Sequence, residues 1–80
     1  MPSEGTVTIT VKLFASFRRG RFGEAAREYP AGARIADVVA DLGIEPKGVG
    51  MIFMDGKHAD PDRVLRAGDA LALFPQLGGG

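Results

Sequence analysis

Three aspartates and the only histidine of the chain lie close together in the sequence: Asp55, His58, Asp60 and Asp62. Carboxylates grouped in this way are typical oxygen ligands for a hard cation. Their spacing lacks the full pattern of an EF-hand loop, and each aspartate occupies a turn position that favours local hydrogen bonds. His58 has no serine or cysteine nearby with which to form a nucleophile pair. We therefore predict turn residues here, with no metal site and no catalytic site.

The chain contains no cysteine, so it offers no thiolate nucleophile and no thiolate metal site. Gly48 and Gly50 lack the further glycine and the lysine of a phosphate-binding loop, which argues against nucleotide binding by this chain. A domain of 80 residues also rarely has room for a concave catalytic pocket. The sequence therefore predicts a protein with no catalytic residues and no bound cofactor, on which other proteins act.

One reactive group is left, the carboxylate that follows Gly78, Gly79 and Gly80. Glycine has no Cβ atom and loses the most entropy on ordering, so a terminal run of it forms a thin, mobile tether. From Pro75 to Gly80 the extended chain reaches about 20 Å at most. Such an end suits insertion into a narrow site of another protein. The alternative is a frayed terminus without a function.

Arg18, Arg19 and Arg21 form the only basic cluster, with Phe17 and Phe22 flanking it. Basic residues with aromatic neighbours can bind single-stranded nucleic acid, but ten acidic and ten basic residues balance, which argues against nucleic acid and anionic membranes. We favour a solvated loop, with a docking loop for an acidic partner as the alternative. Neither a membrane span nor a signal peptide is recognisable, and we expect a cytoplasmic protein.

Length and composition predict one small domain that folds on its own. The chain is 45% hydrophobic and 25% charged, which is close to the average of soluble globular proteins. We expect a flexible N-terminus over residues 1–5, a folded domain over residues 6–75 and a flexible C-terminal tail over residues 76–80.

Hydrophobic patterns predict two strands and one helix in the first half of the chain. Alternating apolar residues predict a strand over residues 7–13. Glycines in the following loop favour a hairpin, so the ambiguous segment 25–29 is interpreted as a second, antiparallel strand. Apolar residues at i, i+3, i+4 and i+7 predict an amphipathic helix over residues 35–42, which Gly43 ends in the C′ position. Arg34 is a poor N-cap for this helix.

The second half of the chain is predicted to be mainly β. Residues 51–54 form a strand, apolar on both faces, that enters a tight Asp-Gly hairpin, and residues 57–59 form the short return strand. A brief helical turn is expected over residues 61–65 and a last strand over residues 70–74. Together the elements predict an α+β fold, in which a mixed sheet of four or five strands curves around one main helix.

Two phenylalanines are predicted to lie on the outer face of this sheet. When alternate residues of the first strand face the helix, Phe14 at its end emerges on the opposite side. The same alternation directs Phe74 outward in the last strand. We expect the two rings to lie side by side near the tail and, together with Pro75 and Leu77, to bind partner proteins. In the alternative interpretation, the loop over residues 18–23 covers this surface.

Five blocks of the sequence carry a resemblance to known proteins: VKLFASFR at 11–18, YPAGA at 29–33, IADVV at 35–39, LGI at 42–44, and a closing block from GD at 68–69 through LFP at 73–75 to GG at 79–80. In these blocks the chain resembles a family of small sulfur carriers, relatives of ubiquitin with the β-grasp fold. The family includes MoaD, the small subunit of molybdopterin synthase, and the thiamine sulfur carrier ThiS. The similarity covers almost everything after Gly5, and its closing block is the most specific.

The resemblance implies a carrier cycle. An E1-like adenylyltransferase, similar to MoeB or ThiF, would use ATP to adenylate the carboxylate of Gly80, and a sulfur donor protein would convert it to a thiocarboxylate. The carrier would pass the sulfur to an acceptor similar to the large subunit of molybdopterin synthase or to thiazole synthase. Gly78 and Gly79 would let the end thread into these active sites. Phe14 and Ala15 resemble the molybdopterin branch more than the thiamine branch.

Other functions stay open at this point. The chain could be a ubiquitin-like modifier conjugated through Gly80 to lysines of other proteins, a carrier for thiamine or another sulfur pathway, or an interaction module with an idle tail. Two positions depart from the family pattern. Arg34 replaces the usual threonine cap of the helix, which is expected to cost the helix about 1 kcal/mol. Gly78 adds a third glycine to the tail.

Overall fold

The computed structural model describes residues 5–76, and the ends predicted to be flexible lie mostly outside this range, at residues 1–4 and 77–80. The described residues form one mixed sheet of five strands and one main helix, as predicted, with two 3₁₀ turns in the connections. The elements are β1 (Thr6–Leu13), a 3₁₀ turn (Ala15–Arg18), β2 (Glu24–Pro30), α1 (Ile35–Asp41), a 3₁₀ turn (Pro46–Gly48), β3 (Val49–Met54), β4 (Lys57–His58) and β5 (Ala70–Pro75).

The strands lie in the order β2-β1-β5-β3-β4. The first and last strands, β1 and β5, are parallel neighbours at the centre of the sheet, and every other pair is antiparallel. The predicted antiparallel pairing of β1 with β2 is confirmed. Because β5 lies at the centre, the residue at which the tail begins is carried by a strand that has a neighbour on both sides.

The hydrophobic core lies between α1 and the inner face of the sheet. Val11 lies opposite Leu71 and Leu13 opposite Leu73 in the parallel pair, and all four side chains are fully buried, as is Ile9 one alternation earlier. This confirms the inward face predicted for β1 and β5. Burial of a side chain of this size stabilises the fold by roughly 1.5–3 kcal/mol.

The Asp-Gly hairpin between β3 and β4 is also confirmed. Met54 lies opposite Lys57, so the loop contains two residues. Asp55 has a φ of 54° and Gly56 a φ of 83°, and two positive φ values are the signature of a type I′ turn, whose twist matches that of the strands.

The helix ends as the sequence predicted. Gly43 follows the last turn with a φ of 73°, and the N–H of Ile44 donates to the carbonyl oxygen of Val39 across 3.1 Å, the bond of a Schellman motif. The helix has seven residues. Within residues 5–76, no helix is long and apolar enough to cross a membrane.

The helical turn predicted over residues 61–65 is wrong. The N–H of Arg63 donates to the carbonyl oxygen of Asp60 in a single turn, after which the chain extends and Val64 forms a bridge with Arg34. Apart from this one turn, the backbone of the segment forms its hydrogen bonds with the chain around the start of α1. Tertiary hydrogen bonds therefore override the local helical preference.

The same segment supplies what Arg34 lacks as a helix cap. The N–H of Ile35 donates to the carbonyl oxygen of Arg63 across 3.0 Å, and the N–H of Ala36 to that of Pro61 across 2.9 Å. The carboxylate of Asp37 accepts the backbone N–H of Arg34 across 2.8 Å. The first N–H groups of the helix thus have partners without a threonine side chain.

Candidate docking face and root of the tail

A row of four aromatic rings crosses the outer face of the sheet. Phe14 stacks on Phe74 with ring centroids 4.2 Å apart and planes 8° apart. Phe53 meets Phe74 edge-on at 5.7 Å, and His58 meets Phe53 edge-on at 6.0 Å. We call Phe14, Phe74, Phe53 and His58 the aromatic row. The predicted side-by-side placement of Phe14 and Phe74 is confirmed.

Backbone geometry explains how the row is assembled. The N–H of Phe14 donates to the carbonyl oxygen of Leu73 across 3.3 Å, which brings the residue after β1 beside the outer face of β5. In the pairing of β3 with β4, Phe53 lies opposite His58. Met51 lies opposite Phe74. Three segments that are remote in sequence, namely the end of β1, the β3–β4 hairpin and β5, thus place aromatic side chains on one surface.

The aromatic row is only partly covered by the protein itself. Its three phenylalanines are half-buried, and the neighbouring Met51 is 47% exposed. Paired aromatic rings in these orientations attract one another by about 0.5–1.5 kcal/mol, which gives the row a defined shape. A partly open apolar surface of this kind is typical of a protein interaction site.

The arginine-rich loop of residues 18–23 does not cover the row. Phe17 is buried in the core, and Phe22 packs against it. Arg21 Nε donates to the carbonyl oxygen of Leu42 across 2.9 Å, so the loop lies at the C-terminal end of α1. The alternative interpretation, in which this loop shields the outer face, is therefore wrong. Phe17 is therefore not free to stack on nucleic acid bases.

The root of the tail lies beside the aromatic row. The N–H of Gln76, the first residue of the predicted tail, donates to the carbonyl oxygen of Gly48 across 2.8 Å. This bond attaches the end of β5 to the start of β3. A groove of about 290 Å³ runs alongside, lined by Ala15, Gly50, Met51, Phe74, Pro75 and Gln76.

The structure brings together three of the residues predicted to bind partners. Phe14 and Phe74 are stacked, and Pro75 ends β5 in the groove next to them. Their role in binding stays a prediction. The other predicted site residues lie outside the described residues: Leu77, Gly78, Gly79 and Gly80.

Asp55 occupies a turn position as predicted, in the hairpin between β3 and β4. Its carboxylate does not make the expected local hydrogen bond and instead accepts the N–H of Ala70 in β5 across 3.1 Å. Asp60, Asp62 and His58 line an open hollow that also contains basic side chains. In the part of the chain that the structure describes, no three acidic or histidine side chains are placed to hold a metal ion.

Two groups with shifted pKa values lie on the inner side of the sheet, away from the aromatic row. Burial raises the pKa of Tyr29, and a hydrogen bond to Asp41 raises the pKa of Arg27. Both side chains donate to one oxygen of Asp41, Tyr29 across 3.1 Å and Arg27 across 2.9 Å. These contacts fasten β2 to α1, so the shifts have a structural origin and do not mark a reactive site.

Sequence reasoning missed several contacts of this surface. The sequence predicts the two-sided strand of residues 51–54 beside Phe14 and Phe74, and it predicts a surface position for His58, which is exposed. The edge-on contacts of Phe53 with Phe74 and with His58 are not predicted. The register of the predicted hairpin could have placed Phe53 opposite His58. No local signal connects Gly48 or Gly50 with the end of β5, because the contact spans more than twenty residues of chain.

Family comparison decides what kind of protein carries this surface. The model of the ThiS family matches residues 11–80, most of the chain. The chain belongs to the ThiS family. Proteins of this ThiS- and MoaD-like group are small sulfur carriers, generally not catalytic, that work with E1-like enzymes and synthase partners. Among curated proteins, no sequence matches this ThiS-family chain.

Solved structures confirm the ubiquitin-like β-grasp fold of this ThiS-family protein. A putative molybdopterin converting factor, subunit 1, from Pyrococcus furiosus is 28% identical with a TM-score of 0.72, and the alignment covers 89% of this chain and 99% of the other. Small archaeal modifier protein 1 of Haloferax volcanii is 22% identical with a TM-score of 0.71 and the same coverage. A designed protein based on ubiquitin is 18% identical with a TM-score of 0.63, covering 94% of each chain.

Proposed function

We propose that this protein carries sulfur on Gly80 for the biosynthesis of a cofactor, namely molybdopterin. In the first step, a carboxylate oxygen of Gly80 bonds to the α-phosphorus of ATP on an E1-like enzyme, and pyrophosphate leaves. In the second, hydrosulfide supplied through a sulfur donor protein forms a bond to the acyl carbon, and AMP leaves. The resulting thiocarboxylate gives its sulfur to the acceptor enzyme. ATP is bound by the activating enzyme and not by this chain.

The observation that carries the proposal is the attachment of the tail root beside the aromatic row. Gln76 is held by Gly48 at the edge of the surface formed by Phe14 and Phe74. A partner that docks on this surface therefore lies next to the start of the tail. The four residues after Gln76 span about 14 Å when extended, enough to enter a partner's active site. On this proposal, the folded body binds the partner, and the tail is long enough to carry Gly80 into the partner's active site.

Two features support the molybdopterin pathway. The Pyrococcus furiosus protein, at 28% identity, is described as a subunit of a molybdopterin converting factor. Phe14 and Ala15 also match the molybdopterin branch of the family resemblance. On this proposal, the sulfur acceptor is an enzyme similar to the large subunit of molybdopterin synthase, and the reactions take place in the cytoplasm.

Intact mass spectrometry of the protein purified from its own host tests the proposal. We expect a fraction whose mass corresponds to sulfur in place of one oxygen, and fragmentation should place the sulfur on Gly80. Deletion of Gly80, or its extension by one bulky residue, should abolish adenylation by the host's activating enzyme. Because the hydrophobic core of the described residues is formed by residues that precede Gly80, we expect the unfolding temperature not to change. Full adenylation of the truncated protein would contradict the carrier function.

A second candidate function is protein modification. The structurally similar Haloferax volcanii protein is described as a small archaeal modifier, and a modifier would use the same activated carboxylate of Gly80 to form isopeptide bonds with lysines. A ladder of higher-mass conjugates in host extracts, each containing this chain joined through Gly80, would indicate this function. Transfer of sulfur to purified thiazole synthase, but not to molybdopterin synthase, would instead indicate the thiamine pathway.

A further inference from the structure

The start of β3 contains one more residue than the strand opposite. Val49 lies opposite Pro75 and Met51 opposite Phe74, so Gly50 has no partner of its own in β5. An extra residue of this kind is a β-bulge, which bends a strand and redirects the chain next to it. This bulge is located where the chain leaves β5 and the tail begins.

Gly50 is in direct contact with the root of the tail. A Cβ atom at this position would lie 2.8 Å from the Cα atom of Gln76 and 2.8 Å from the carbonyl oxygen of Pro75. Carbon atoms in contact are ordinarily about 3.5–4.0 Å apart. Since both neighbouring atoms belong to the backbone, no side-chain rotation relieves this clash, and any residue other than glycine must displace Gln76 or the bulge.

The reason for glycine here is space, not backbone conformation. Gly50 is not among the glycines with positive φ. Two residues earlier, Gly48 accepts the N–H of Gln76 through its carbonyl oxygen, yet a Cβ atom on Gly48 would meet nothing within 4 Å. The two glycines thus have different roles. The carbonyl oxygen of Gly48 accepts the hydrogen bond, and the absence of a side chain on Gly50 allows the close approach of Gln76 that makes this bond possible.

We propose that Gly50 is a positioning residue for the reaction of Gly80, because it fixes the point and direction from which the tail leaves the body. This inference rests on the proposed carrier function. Gly80 lies four residues after Gln76 in the sequence, and an extended chain of that length reaches about 14 Å. Over so short a connection, a shift of Gln76 also shifts the place that Gly80 can reach. Misplacement of a reacting group by about 1 Å can lower a rate about a hundredfold.

Adenylation kinetics with the host's activating enzyme test the proposal, with Gly50→Ala compared against wild type and against Gly48→Ala as the matched control. We expect Gly50→Ala to lower kcat at least about tenfold with KM within about twofold, because docking is preserved and only alignment is lost. Gly48→Ala should behave as wild type. Equal kcat values for the two alanine variants would overturn the inference. So would a raised KM with unchanged kcat, which would make Gly50 a docking residue.

A second variant acts on the same contact from the other side. Gln76→Pro removes the N–H that Gly48 accepts, so its loss of kcat should resemble that of Gly50→Ala. The double variant should lose little more kcat than either single variant, because both substitutions disrupt the same attachment of Gln76 to the body. If Gly50→Ala does not fold, Gln76→Pro decides the question by itself. Wild-type kcat in the folded Gln76→Pro protein would overturn the inference.

Hydrogen exchange gives a readout that needs no partner enzyme. The amide of Gln76 should be protected in wild type and in Gly48→Ala and should exchange freely in Gly50→Ala. Equal protection in all three proteins would overturn the inference. If wild type itself is not adenylated, the proposed function fails, whereas failure of the positioning inference shows as an active wild type with an equally active Gly50→Ala.

Discussion

The hydroxyl of Tyr29 donates to the carboxylate of Asp41 across 3.1 Å and thereby ties β2, an edge strand, to the last residue of α1. Tyr29 is buried at 7% exposure, while the side chain of Asp41 is half exposed. The phenol thus fills the core and reaches the surface only with its polar end, where the guanidinium of Arg27 joins the same oxygen. This contact closes one end of the layer formed by the sheet and the helix.

Tyr29→Phe should change how stability depends on pH. Burial raises the pKa of Tyr29 above 10.0, so folding favours the neutral phenol. The neutral phenol's contribution to the free energy of unfolding is complete below the unfolded-state pKa of Tyr29 and is lost as the pH rises through the folded-state pKa. Urea unfolding at about pH 8 should show Tyr29→Phe about 1 kcal/mol less stable than wild type. The difference should shrink at about pH 11, and a constant difference would argue against this linkage.

Phe14→Ala and Phe74→Ala should separate binding from stability. An aromatic side chain buried in a partner can contribute about 2 kcal/mol or more, so each variant should weaken binding to the activating enzyme more than about tenfold. Leu73→Ala serves as the core control, because Leu73 is fully buried and its truncation should cost about 2–5 kcal/mol of unfolding free energy. Calorimetric titration and urea unfolding measure the two effects. If the phenylalanine variants unfold and their folded fraction binds normally, the aromatic row is core and not a docking surface.

Arg34→Thr should leave stability nearly unchanged, although threonine is the better helix cap. The N–H groups of Ile35 and Ala36 already donate to the segment of residues 61–63, so a new cap has little left to satisfy. The side chain of Arg34 donates to the carbonyl oxygen of Asp62 at an exposed position, and its loss is a small cost. We expect unfolding free energies within about 0.5 kcal/mol. A gain of about 1 kcal/mol would show that the tertiary bonds do not replace a cap.

Asp69→Ala should destabilise the turn that leads into β5. The carboxylate of Asp69 is buried and accepts the N–H of Arg66 across 2.7 Å and Arg63 Nη1 across 2.9 Å. Its removal leaves the backbone N–H of Arg66 without this partner, at a cost of about 2 kcal/mol. Asp62→Ala is the matched control, because Asp62 is exposed and its substitution should cost less than about 0.5 kcal/mol. Equal unfolding free energies for the two variants would contradict the structural role of Asp69.

Local patterns in the sequence were sufficient for most of the fold. The alternation in β1, the Asp-Gly hairpin and the end of α1 at Gly43 each depend on residues that are neighbours along the chain, and all three are confirmed. Residues 61–65 were assigned wrongly because their hydrogen bonds go to the chain around Arg34, which no local pattern reports.

The sequence predicts the part of the candidate site that follows from the alternation of side chains along a strand, and it does not predict the rest. Alternation placed Phe14 and Phe74 outward, and the parallel pairing of β1 with β5 then stacks them. The contact of Gly50 with Gln76 depends on a bulge, whose position the composition of β3 does not reveal. The alternation also gives no sign that the loop after Arg18 folds toward α1 instead of over the outer face.

The central position of β5 has a consequence for synthesis on the ribosome. Because β1 must pair with a strand that begins about sixty residues later, the sheet cannot close until β5 has emerged, and contacts so distant in sequence form slowly. A product that stops short of β5 therefore has no folded domain, and it stays open to proteolysis. The strand that completes the sheet, β5, is also the strand at whose end the tail begins. A chain whose synthesis stops before β5 therefore does not enter the cell's supply of folded carriers.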